Sequence, residues 1–65
     1  MKPEYQIDFH IGNKVKIIPL GRDGKVISIW ITAKGITYEV RYFDNAEAKN
    51  IYFYSDELEF VQENI

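Results

Sequence analysis

Cysteine is absent from this 65-residue chain, which excludes disulfides and thiolate metal centres. Histidine occurs once, as His10, and a lone imidazole builds no zinc site unless several carboxylates converge on it. No apolar run approaches a membrane span, and none of signal-peptide type opens the chain. These absences predict a cytoplasmic protein with no metal, no cofactor and no membrane attachment. A phosphate-cradling glycine loop is also missing, since Gly21 and Gly24 read as turn glycines. Ser28, Ser55 and His10 are too scattered along the chain to suggest a nucleophile and its base. Asp56, Glu57 and Glu59 cluster, but at the opening of a helical turn they read as partners of its dipole rather than as an acid–base pair. The expectation is a protein without enzymatic activity.

What the chain does hold is rings and branched aliphatics. A domain of this size buries only about 60% of its unfolded surface. With no staple available, the core must come from four Phe, five Tyr, one Trp and many Ile and Val. Each large side chain contributes about 1.5–3 kcal/mol when fully buried. The net charge of −2 argues against sequence-independent binding of nucleic acid. Its distribution is uneven: residues 14–41 carry six cations against Asp23 and Glu39, while residues 44–65 carry Lys49 against six carboxylates. Two readings follow. The halves interleave as ion pairs between neighbouring strands, or Lys14, Lys16, Arg22, Lys25 and Arg41 form a basic face for nucleic acid.

The chain divides into an extended N-terminal segment (1–11), a β-patterned body (12–61) and a tail (62–65) expected to fray, all within one domain. Tyr5, Ile7, Phe9 and Ile11 share one parity, which predicts an extended segment with one buried face, and Pro3 keeps its first residues out of a central strand. Gly12 then opens a turn. A first strand is predicted over Lys14–Leu20, Val15 and Ile17 inward, ended by Pro19. Gly21-Arg22-Asp23-Gly24 reads as a polar connection with a tight Asp-Gly turn. The second strand, Lys25–Ala33, is apolar on both parities at Val26, Ile27, Ile29, Trp30 and Ile31; a bulge that changes the inward parity explains this better than an outer face that meets another chain, because small barrels have strongly coiled strands. Strand three, Ile36–Phe43, alternates cleanly, with Ile36, Tyr38, Val40 and Tyr42 on one face. A polar loop over 44–50 leads to strand four, Ile51–Tyr54, with Ile51 and Phe53 inward. Ser55 caps one helical turn, and a short strand through Phe60 and Val61 closes the domain.

Five short strands and one helical turn predict an all-β, five-stranded SH3-like barrel with one short 3-10 turn before its last strand; the oligonucleotide-binding barrel normally needs more residues and a longer helix. Phe9-His10-Ile11-Gly12-Asn13-Lys14-Val15, Gly24-Lys25-Val26-Ile27-Ser28-Ile29, Tyr38-Glu39-Val40-Arg41-Tyr42 and Ser55-Asp56-Glu57-Leu58 resemble the Tudor and KOW branch of such barrels. In size and texture the chain also resembles small prophage-encoded or bacterial orphan proteins. The Tudor resemblance implies an aromatic cage for methylated lysine or arginine. Tyr42 matches the cage tyrosine, and Asn45 lies near the cage asparagine. Pro19-Leu20-Gly21-Arg22-Asp23-Gly24, however, supplies no ring and adds a repelling cation, so Tyr42 is read first as core. The KOW resemblance implies contact with RNA or with ribosomal and transcription machinery, through basic loop positions only partly present here as Arg22 and Lys25.

Outward parity places Trp30, Phe43, Tyr52 and Tyr54 in one aromatic patch with Arg41 beside it. Such patches mark protein interfaces. The leading expectation is therefore a module that binds an unidentified protein, or a second copy of itself, through this patch or a free strand edge. The alternative is a nucleic-acid-binding module that uses the basic residues and stacks bases on tyrosines. A competing structural reading folds Tyr5, Ile7 and Phe9 over the patch as a second small core.

Overall fold

Apolar residues at every second position favour strands over helices here, and the protein is all-β. A computed structural model describes residues 6–61; Pro3, Tyr5 and the tail 62–65 lie outside the described residues. The strands are β1 (Lys14–Ile17), β2 (Arg22–Thr32), β3 (Gly35–Asp44), β4 (Glu47–Tyr54) and β5 (Leu58–Phe60), with one 3-10 turn, Ser55–Glu57, before β5. All pairings are antiparallel, in the order β4-β3-β2-β1-β5. The sheet is open, with β4 and β5 at its two ends.

One face carries the core. Val15, Ile17, Val26, Tyr38 and Val40 are completely buried, joined by Tyr42, Phe53, Leu58 and Phe9. Phe9 meets the Tyr38 ring edge-on at 5.3 Å, and the Asp8 N–H donates to the Tyr38 hydroxyl at 2.9 Å. Ile7 packs on the same cluster. Ile7 and Phe9 thus cover the inner face rather than the outward aromatics, which overturns the reading of a second core built from them there. Its alternation breaks at Ile11, which is exposed because Gly12, with φ 97°, turns the chain into β1. The Gly12 N–H donates to the Val26 carbonyl, and the Val26 N–H to the Asn13 carbonyl, fixing that turn against β2.

The bulge falls between Val26 and Ser28, with Ile27 the extra residue. Val26 opposes Val40 and Ile29 opposes Tyr38, so both the even and the odd residue face inward on either side of it. This accommodates an almost continuously apolar run.

Two of the three hairpin turns sit elsewhere than their local sequence suggests. The first is built from Ile18–Gly21, not from Gly21–Gly24: Ile17 pairs with Arg22, Gly21 takes φ 65°, and its N–H donates to the Ile17 carbonyl at 2.8 Å. Asp23 and Gly24 lie inside β2, where Gly24 is required for close approach. A Cβ there would stand 2.5 Å from Val40 Cγ1 and 2.9 Å from the Arg41 carbonyl oxygen. The second expected loop, 44–50, is reduced to Asn45-Ala46, with φ 51° and 64°. Two successive positive φ angles match the twist of the flanking strands, so pairing continues to Asp44↔Glu47 and β4 starts well before Ile51.

Two smaller expectations also change. Ser55 is the first residue of the 3-10 turn rather than its cap; the Glu57 carboxylate reaches back instead, accepting from the Tyr54 N–H at 2.9 Å. Ile51 opposes Val40 on the inward side but is 42% exposed, because β4 is an end strand with little packed over it.

Candidate binding face of the sheet

The other face of β2, β3 and β4 holds Trp30, Arg41, Phe43, Tyr52 and Tyr54 of the expected aromatic patch, together with Lys25. Cross-strand register arranges them in rows. One row runs Trp30–Thr37–Tyr54, the next Ser28–Glu39–Tyr52, and the third Lys25–Arg41–Asn50, extended onto β1 by Lys14. Beyond the third row, Phe43 faces Ala48.

The first two rows make an aromatic cluster. Trp30, Tyr52 and Tyr54 are 52%, 50% and 45% exposed. The Trp30 and Tyr52 rings meet edge-to-face at 6.0 Å and 81°, a geometry that the ring quadrupoles favour. A polar relay fixes the indole: Trp30 Nε1–H donates to Ser28 Oγ at 2.8 Å, and Ser28 Oγ–H donates to Glu39 Oε1 at 2.6 Å. With its N–H satisfied inside the protein, Trp30 presents hydrocarbon outward. The sequence gives no local sign of this relay. Ser28 meets Glu39 only because the bulge at Ile27 shifts the register by one, so the signal lies in the broken alternation of β2 together with the clean alternation of β3.

The remaining rows make a second, basic and apolar cluster. Arg41 lies over the Phe43 ring at 5.7 Å, and Phe43 is 61% exposed. Ile11, Ile27, Lys25 and Arg41 line a shallow groove with Phe43. The expected single patch of Trp30, Arg41, Phe43, Tyr52 and Tyr54 is thus two clusters on one face, which meet where the Glu39 row adjoins the Arg41 row.

The five basic candidates divide as well. Lys14, Lys25 and Arg41 stand directly opposite one another on successive strands. Lys16 instead has Asp23 on one side and Glu59 on the other. Arg22 sits at the inward parity of β2 and pairs with Asp44 at 2.8 Å, an acid that also meets Lys49 at 3.8 Å. Interleaving of the basic and acidic halves therefore occurs at Asp44, while Lys14, Lys25, Arg41 and Glu39 have no ion pair among the described residues. Tyr42, 4% exposed, belongs to the core, and Asn45 to the β3–β4 turn.

Among the described residues there is no cluster of His, Cys, Asp or Glu able to hold a metal ion, and no helix is long and apolar enough to cross a membrane. No protein-family model, curated protein or solved structure matches the chain.

Proposed function

We propose that this open five-stranded sheet is an SH3-like barrel of the Tudor and KOW type, acting as a non-catalytic protein-binding module through the outer face of β2–β4. The strand order β4-β3-β2-β1-β5, with a 3-10 turn before the last strand, supports the fold assignment. The functional reading is carried by Trp30: half exposed, yet held by the Ser28–Glu39 relay and by the edge of Tyr52. Fixing an aromatic side chain in advance lowers the entropic cost of binding, and exposed Trp and Tyr clusters are the usual anchors of protein interfaces. In the test, Trp30→Ser and Tyr54→Ser abolish retention of a captured partner while the circular dichroism spectrum is unchanged. Undiminished capture by folded variants identifies the wrong surface.

The row Lys14–Lys25–Arg41 favours a second reading, contact with a nucleic-acid backbone beside rings able to stack on bases. Binding of single-stranded DNA or RNA that weakens steeply with salt supports it. No binding at low salt removes it.

A further inference from the structure

We infer that the occupant of the outer face is a second copy of this chain, packed face to face about a two-fold axis lying between the Glu39 and Arg41 rows. The inference rests on reading this face as a protein-binding surface, and it names the partner.

The face is complementary to itself in charge. Glu39 and Arg41 are successive outward residues of β3, and neither has an ion-pair partner among the described residues. A two-fold axis in the interface, crossing β3 between them, sets Arg41 of each copy over Glu39 of the other. Both pairs form at once, as a symmetric interface requires. An external peptide that is uniformly acidic or uniformly basic satisfies only one of these two adjacent groups and is repelled by the other.

Shape follows the same operation. One step further along β3 in opposite directions lie Phe43 and Thr37, so the axis that matches Arg41 with Glu39 also sets Phe43 over Thr37 of the second copy. Thr37 is a small residue flanked in register by Trp30 and Tyr54. The Trp30 indole leans along β2 toward Ser28 and the Tyr52 ring, out of the Thr37 row, so Phe43, 61% exposed, is set over Thr37 beside Tyr54. A standard interface of roughly 800 Å² per partner would take about one-sixth of the 5157 Å² surface.

The experiment is sedimentation equilibrium over a concentration series into the millimolar range, on wild type, Arg41→Glu, Glu39→Arg and an equimolar mixture of the two variants. The wild type is expected to dimerise. Each variant alone places like charges over each other and loses at least about tenfold in dimer affinity. The mixture restores both Arg–Glu contacts and associates as a heterodimer. Phe43→Ala alters a ring that is already exposed, so it tests the Phe43–Thr37 contact with the fold intact; it also loses at least about tenfold.

A monomeric wild type overturns the inference, and so does a dimer indifferent to all of these changes, which uses another surface such as the β4 edge. The broader reading is judged separately. If the wild type is monomeric but Trp30→Ser still abolishes capture of another protein, the face binds proteins and only the identity of the partner is wrong.

Discussion

The two faces of β2–β4 carry similar side chains and treat them oppositely. On the inner face the Tyr38 ring is fully buried, Phe9 meets it edge-on, and its hydroxyl accepts the Asp8 N–H. On the outer face Trp30 and Tyr52 meet at much the same angle, but both remain half exposed, and the polar relay beneath them ends at a carboxylate with no cation. Aromatic content alone thus says little about stability. What distinguishes the faces is whether something covers the rings, and on the outer one none of the described residues does.

The contrast is broken most severely at Tyr38. Tyr38→Ala opens a cavity under Phe9 and leaves the Asp8 N–H without its acceptor, at a cost of about 3–5 kcal/mol. In so small a domain that is comparable with total stability, so urea titration should show a largely or wholly lost unfolding transition. A normal transition would mean that the inner face is not the one holding the fold.

Gly24→Ala tests the same face by addition. The new methyl would collide with Val40 Cγ1 and with the Arg41 carbonyl, the second of which is backbone and yields least. Overpacking of this kind costs about 1–3 kcal/mol, read as a lower urea midpoint with an unchanged slope.

Those two residues also show what the sequence could disclose. Tyr38 was legible because β3 alternates without exception, and period two assigns a face directly. The bulge was legible because the run from Val26 to Ile31 violates alternation. Gly24 was misread: Asp-Gly carries a local turn signature, while the demand for a missing Cβ comes from Val40 and Arg41, remote in sequence. That error moved Arg22 as well, since displacing the turn puts it in β2 at the inward parity, beside Asp44 and away from Lys25. Ala46 at φ 64° offers no propensity signal at all, which hid the two-residue turn and the early start of β4. Parity also names the face of a residue without saying whether anything lies over it, as Ile51 and Phe60, 57% exposed opposite buried Val15, both illustrate. The outward set Trp30, Arg41, Phe43, Tyr52 and Tyr54 followed from parity, but the Ser28–Glu39 relay and the division into two clusters needed the register across the bulge.

On the outer face the expected losses are smaller. Trp30→Ala removes a half-exposed ring, one edge-to-face contact and one hydrogen bond that solvent can replace at Ser28. The pair itself is worth about 0.5–1.5 kcal/mol, so the urea midpoint should fall by far less than for Tyr38→Ala. A loss as large as that of Tyr38→Ala would show the outer rings to be core rather than interface.

The smallest expected effect has the opposite sign. Lys25 stands between Lys14 and Arg41 in register, and like charges directly opposite on neighbouring strands destabilise a sheet. Lys25→Gln should therefore stabilise the isolated chain by a few tenths of a kcal/mol, about the lower end of such cross-strand terms. These side chains are exposed, so the gain must shrink as salt screens them, and it should vanish near 1 M, where the Debye length is only about 3 Å. Urea titrations at low and high salt measure both the sign and its disappearance. A destabilisation at low salt would mean that the row is already neutralised within the chain. A stabilisation would identify three cations held together against their own repulsion, on the face of the sheet that the described residues leave uncovered.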